Sequence, residues 1–281
     1  MNNTTGLSSR NGQDIYNIPV WITSREHLDL HKPRVNQARV SYLLPIQLNS
    51  QDESNNREMA KTTLPRFCLM NARFLVRKID ELAVFLSVNK IDVAAVTETW
   101  FNDDIEGELI SIDGYVISRK DRQQSRGGGV CIYLSQHLHL KRRADLECPD
   151  MECLWLWLRP TRLPRPLTRI VVGVVYSPPD RNVEEGERLC GHITSTIDTI
   201  RYRNADAGIV ILGDFNNLNI RNLMFSQNLK QAVQQPTRGN AILDLIVTNL
   251  HCFYESPNHH LTITPYGYQT DVIMSSTTIR V

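Results

Sequence analysis

Residues 208–216 read Gly-Ile-Val-Ile-Leu-Gly-Asp-Phe-Asn. Gly208–Leu212 has the length and β-branched content of a buried strand, and the chain runs straight from it into Asp214 and Asn216. The same pattern, an apolar strand closed by a single polar residue, recurs outward in both directions. Upstream, Ile170–Tyr176 (IVVGVVY) is apolar throughout, as a strand buried on both sides requires, and it ends at Tyr176 before the turn-forming Ser177–Asp180 (SPPD). Asp92–Thr97 is followed by Glu98, and Arg66–Met70 by Asn71. Downstream, Leu243–Thr248 carries Asp244 at its start.

Further strands are expected at Gly114–Ser118, Gly127–Leu134, Glu152–Leu158 and Leu261–Thr264. In Glu152–Leu158, Trp155 and Trp157 alternate with leucines at the period of a strand, which makes them sheet core rather than base-stacking platforms. Helical periodicity appears at Val76–Asn89 and Val183–Arg201. Many strands with few helices predict an α/β fold of two packed mixed β-sheets flanked by helices, a four-layer sandwich. No fixed-period repeat points to a solenoid or propeller.

The chain has 281 residues, enough for one sizeable domain with a tail. Residues 1–63 are polar, with short apolar islands such as Val40–Ile46, and are read as a largely disordered leader to a domain spanning 64–281. His27 and His31 share a helical spacing there and are read as solvated residues of a loose segment rather than metal ligands. No apolar run reaches the roughly 18 residues of a membrane span, and Met1–Arg10 lacks the apolar core of a signal peptide. The six cysteines form no CxxC pair and are expected to be reduced thiols. A net charge of +1 makes any polyanion-binding surface a local one.

A lone polar residue after a strand is ordinarily a turn former. Its recurrence suggests a second arrangement, in which several strand tips converge on one rim of carboxylates, carboxamides and a phenol. Clustered carboxylates repel unless a cation neutralises them, and a hard divalent ion, Mg²⁺ or Mn²⁺, suits oxygen ligands. Such an ion clamps a phosphate oxygen, while carboxamide and phenol donors stabilise charge growing on the phosphoryl group. The rim's composition therefore favours phosphate-ester hydrolysis.

The phrases Leu69–Arg73 (LMNAR), Val96–Trp100 (VTETW), Gly127–Val130 (GGGV), Val175–Pro179 (VYSPP), Gly213–Asn216 (GDFN) and Leu243–Ile246 (LDLI) occur in this order. Together they resemble the endonuclease domain of non-LTR, LINE-type retrotransposons, in the endonuclease/exonuclease/phosphatase superfamily and related to apurinic/apyrimidinic endonucleases. The resemblance implies that Glu98 and Asn71 hold the metal and that Tyr176 hydrogen-bonds the scissile phosphate. Asp214 would orient or deprotonate the attacking water, Asn216 would contact phosphate and nucleophile, and Asp244 would orient a catalytic histidine. It also implies a DNA substrate, products with a 5′-phosphate and a 3′-hydroxyl, nuclear access and a monomeric protein.

The resemblance fails in one place. The family closes its catalytic set with Ser-Asp-His after a Pro-x-Gly turn. Here Pro265–Tyr266–Gly267 is followed by Tyr268–Gln269–Thr270–Asp271. Aligned without gaps, Thr270 and Asp271 fall where the aspartate and histidine belong; with a one-residue deletion, Gln269–Thr270 replaces the triplet and Asp271 follows the histidine position, and neither register supplies a histidine. His259 and His260 precede the turn. An imidazole in this role contributes typically about 10²–10⁴-fold in rate, so impaired cleavage is expected, with Asp244 left beside other carboxylates and its pKa raised. The end at Val281 leaves no room for a reverse transcriptase, as in a shortened element copy or a host-acquired fragment. Two further functions remain: a catalytically inactive DNA-binding remnant, and a phosphodiesterase or phosphatase acting on inositol phosphates or sphingomyelin. Basic clusters at Arg119–Arg126, Lys141–Arg143 and Arg159–Arg169 are either solvated faces or contacts for a phosphate backbone.

Overall fold

The computed structural model describes residues 38–43, 64–123, 126–238, 240–255, 261–264 and 267–268. All lie within one compact unit, Asn36–Val281. One sheet contains β1 (Ala38–Leu43), β2 (Phe67–Asn71), β3 (Val93–Thr97), β4 (Tyr115–Lys120), β5 (Val130–Ser135), β12 (Leu261–Thr264) and β13 (Gly267–Tyr268), in the order β13-β12-β1-β2-β3-β5-β4. The other contains β6 (His139–Arg142), β7 (Cys153–Arg159), β8 (Arg169–Tyr176), β9 (Ala207–Asp214), β10 (Lys230–Gln231) and β11 (Asp244–Thr248), in the order β10-β11-β9-β8-β7-β6. Both sheets are mixed: β2 runs parallel to β3 and β8 to β9, while β11 runs antiparallel to β9.

Side-chain alternation assigns the layers. Phe67, Leu69, Ala95, Ile132, Leu156, Val172, Val174, Val210 and Leu212 pack into one cluster between the sheets. Their neighbours in sequence, Cys68, Met70, Ala94, Val96, Cys131 and Tyr133, face outward onto α1 (Ile79–Val88). On the other side Trp155, Val171, Val175, Ile209 and Ile211 face α2 (Val183–Arg203). Each helix buries one stripe, Leu82, Phe85 and Leu86 in α1 and Leu189, Ile193, Ile197 and Ile200 in α2. α2 starts where it does because Asn182 and Glu185 form a reciprocal capping box, satisfying two otherwise unpaired amides. The result is the expected four-layer α/β sandwich.

Three local expectations change. Residues 1–63 were read as leader, yet Ala38–Leu43 within them forms β1 between β2 and β12. Its partners lie far along the chain, so no local signal announces it; the rest of the leader, His27 and His31 included, lies outside the described residues. The helix read from Val76 opens as a 3₁₀ turn at Leu75–Lys78, and α1 proper starts at Ile79. β6, short and basic, was not anticipated; it is held to β7 as an edge strand, which needs backbone partners rather than apolar side chains. All six cysteines are free, and no helix among the described residues is long and apolar enough to cross a membrane.

Candidate active site

The topology puts the ends of β2, β3, β8 and β9 on the same side. Asn71 pairs with Thr97 across one sheet and Tyr176 with Asp214 across the other. Because β11 is antiparallel to β9, its first residue, Asp244, sits opposite Asp214. Within the second sheet β8 and β9 must approach closely here. A Cβ on Gly213 would lie 2.0 Å from the Val175 carbonyl oxygen, so only glycine allows β8 and β9 to end side by side.

The two sheets are joined at this rim by one carboxamide. Asn71 Nδ2 donates to Glu98 Oε1 at 2.8 Å and to Asp214 Oδ2 at 2.6 Å. Two carboxylate acceptors fix the amide's orientation, and the opposite atom, Asn71 Oδ1, is buried without a partner. Glu98 adopts φ +52°, left-handed backbone that a non-glycine residue enters at a cost of about 1–3 kcal/mol. Its other carboxylate oxygen lies 3.9 Å from Arg73 Nε. Asn216, also left-handed at φ +46°, donates its amide N–H to Asp214 Oδ1 at 3.0 Å and its side chain to the Ser177 carbonyl at 2.7 Å.

The electrostatics follow from burial. Asp214 is fully buried, and desolvation raises its pKa against the pull of Arg238. Asp244 is pushed up to about 7, chiefly by desolvation and next by the charge of Asp214. The expected raise is therefore present, but burial is its larger cause. Asp244 Oδ1 is buried and unpartnered. The Tyr176 phenol is raised far above its usual value by burial and by Glu98 and Asp214, which keeps it a proton donor at neutral pH.

Two residues that motif reading passed over complete the rim. Arg238 donates from Nη2 to Asp214 Oδ2 at 2.9 Å and from Nη1 to Asn216 Oδ1 at 3.2 Å. The Thr237 hydroxyl accepts the amides of Leu243 and Asp244 at 2.9 and 3.1 Å, fixing the start of β11. Both belong to Pro236–Thr237–Arg238, which reads in sequence as an ordinary turn. Thr270 and Asp271 lie outside the described residues. Among the described residues no histidine hydrogen-bonds to the rim, and the Arg238 guanidinium is the cation found on Asp214.

Among the described residues no three His, Cys, Asp or Glu side chains gather as a metal-binding group. The rim still fits a hard divalent ion. Mg²⁺ binds through one or two carboxylates and retains several waters, and the buried, unpartnered Asn71 Oδ1 next to Glu98 offers two oxygen donors of the right kind.

The basic clusters separate. Arg119 pairs with Asp121 at 3.3 Å, Lys120 donates to the Cys148 carbonyl, and Arg122 donates to Glu152, which also takes the Gly129 amide. Most of the first cluster is thus held by internal partners. Arg126 remains exposed, 5.7 Å from the Trp100 ring.

The endonuclease domain of TRAS1, a telomere-specific non-LTR retrotransposon, is similar at 14% identity and a TM-score of 0.47, over 66% of this chain and 84% of that one. The Leishmania major AP endonuclease LMAP is similar at 17% identity and a TM-score of 0.49, over 63% and 75%. The human Nocturnin catalytic domain is similar at 15% identity and a TM-score of 0.47, over 62% and 76%. No curated protein sequence matches. The Endonuclease/Exonuclease/phosphatase family model matches residues 67–268, from the first strand carrying a rim residue to β13, and the chain belongs to that family.

Proposed function

We propose that the rim is the catalytic centre of a divalent-metal-dependent phosphodiesterase acting on DNA, of the retrotransposon endonuclease type, and that its rate is reduced by the missing imidazole. The observation that carries this is the Asn71 bridge, which brings Glu98 of one sheet and Asp214 of the other onto a single amide. Glu98 and Asn71 Oδ1 would hold Mg²⁺ or Mn²⁺, which when bound polarises a phosphate oxygen.

The chain's own groups account for the remainder. A carboxylate has about four acceptor positions, and Asp214 commits three, to Asn71, Asn216 and Arg238. The fourth has no protein donor among the described residues, and a water admitted to it would be oriented and deprotonated there. That water attacks phosphorus in line, the bond to the 3′-oxygen breaks, the leaving oxygen takes a proton from solvent, and the strand ends are a 5′-phosphate and a 3′-hydroxyl. The protonated Tyr176 phenol donates to a non-bridging oxygen. Arg238, partly exposed beside Asp214, supplies a fixed positive charge for the phosphoryl group. A guanidinium does not give up a proton near neutrality, so it stabilises charge without replacing the proton transfer of a histidine.

The test is nicking of supercoiled plasmid in Mg²⁺ by wild-type protein and Glu98→Ala, beside phosphate release from inositol phosphates and sphingomyelin. Slow nicking that requires both the metal and Glu98 is expected. Binding of DNA without nicking would establish the inactive remnant, and phosphate release alone would move the substrate to the lipid or inositol class.

A further inference from the structure

We infer that the opposite end of the second sheet is a separate binding surface for nucleic-acid backbone phosphates. β8 leads from Arg169 to Tyr176, so seven residues at ~3.3 Å each put this end roughly 23 Å from the rim. Here two basic clusters distant in sequence meet: β6 brings Lys141 opposite Trp157 and His139 opposite Arg159, and β8 begins at Arg169. They enclose a cleft of about 360 Å³ whose wall combines Leu140 and Leu158 with His139, Lys141, Trp157, Arg159, Thr168 and Arg169, and holds no carboxylate.

Cations outnumber free acids at this end. Of the nearby acids, Glu147 is engaged by Arg142 and Asp145 by Arg143. Asp206, beside the start of β9, forms no ion pair among the described residues, and neither do Lys141, Arg159, Arg162, Arg165 or Arg169. Four of these cations are exposed and Arg169 is half-buried, in a chain whose net charge is only +1. Two N–H donors on the lining residues, Trp157 Nε1 and Arg169 Nε, are buried and lack acceptors. Unmet donors beneath unpaired cations are complementary to an anion. Trp157 has Arg143 and Arg169 stacked on its ring, 3.8 and 4.4 Å from the centroid, so it presents guanidinium rather than an open face for a base. Leu140, Leu158, Leu163 and Leu167 belong to or pack against the core between the sheets, so among the described residues this end offers no exposed large apolar side chain to a lipid surface. The ligand is therefore phosphodiester backbone, bound without regard to sequence. The choice of nucleic acid rests on the nuclease reading of the rim.

The test uses the full chain and a fluorescein-labelled 30-nucleotide DNA, single- and double-stranded, followed by anisotropy across a salt series. Lys141→Glu/Arg159→Glu/Arg165→Glu leaves the Trp157 stack intact. It is expected to weaken binding at least 10-fold and to lower the slope of log K against log salt by about 2–3. The neutral triple variant to glutamine should fall between, which separates charge from misfolding. Photo-crosslinking of a thiothymidine-containing strand should label peptides from 139–169. An unchanged salt slope with labelling confined to the rim overturns the patch, whether or not the protein nicks plasmid. Loss of binding in a protein that never nicks retains the patch and retires the catalytic reading. Equal losses for phosphatidylserine vesicles or polyglutamate, with no DNA binding by wild type, assign the surface to another partner.

Discussion

The two ends of β8 are opposites in hydrogen-bond chemistry. At Tyr176 the strand opens onto buried carboxylates, with two acceptor atoms, Asn71 Oδ1 and Asp244 Oδ1, lacking partners. At Arg169 it opens onto unpaired cations, with two donor atoms, Trp157 Nε1 and Arg169 Nε, lacking partners. One end is short of positive charge and the other of negative charge. Groups of this kind at strand tips lie where a ligand can reach them. On the proposals above, the first end would take a divalent cation and its phosphate, and the second bare phosphate.

The largest effect should come from removing the cation-binding side chain. Glu98→Ala is expected to lower Mg²⁺-dependent nicking on the order of 10³-fold, the scale of losing a preorganised charge in a water-poor site. It should also erase any Mg²⁺- or Mn²⁺-induced rise in Tm, a readout independent of turnover. DNA affinity at the arginine end should not move. A variant that lost both together would show the two ends to be one site.

Asp244→Asn follows, and it reads out in stability. The folded-state pKa of Asp244, about 7, lies above its ordinary value of 3.8. The fold thus holds this proton more tightly than the unfolded chain does, and ionisation disfavours folding. The penalty is absent below about pH 4, grows as pH rises to about 7, and is complete above that, at most about 4 kcal/mol. Denaturation midpoints of the two proteins should coincide near pH 4, and the asparagine variant should be the more stable at pH 8. Equal stability across this range would mean that Asp244 ionises normally and has found a cation.

Arg238 tests what the guanidinium on Asp214 contributes. Arg238→Ala is expected to slow nicking about 10²-fold through lost phosphoryl stabilisation, with Arg238→Lys recovering part of the loss because one of two guanidinium bonds can be kept. Acceleration by Arg238→Ala would instead mean that the guanidinium obstructs Asp214.

The sequence declares the apolar strands and the residues after them because burial writes both into local composition. Asn71, Glu98, Tyr176, Asp214 and Asn216 each follow such a strand and meet on one rim, and Asp244 faces them from the start of β11. Thr237 and Arg238 were illegible because their contacts, with the start of β11 and with Asp214 and Asn216, depend on how a turn folds back over the sheet. β1 was hidden because its partners are remote in sequence. The arginine end was legible as basic residues but not as a site. Arg119 and Arg142 look the same in sequence as Arg159 and Arg165, and only the positions of Asp121 and Glu147 separate the paired from the unpaired.

That separation supplies the smallest and most specific prediction. A cation already paired with a carboxylate releases few counterions when DNA binds, whereas an unpaired one that meets a phosphate releases close to one. Arg159→Gln should therefore lower the salt slope by about 1 and weaken binding equally for all DNA sequences. Arg142→Gln, on the same edge but bonded to Glu147 at 2.9 and 3.0 Å, should leave the slope nearly unchanged. The two arginines sit at opposite ends of the short β6–β7 ladder, so a general electrostatic field would treat them alike. Equal shifts would mean that net charge alone draws the polyanion, and a shift for Arg159 only would mean that phosphates occupy the cleft.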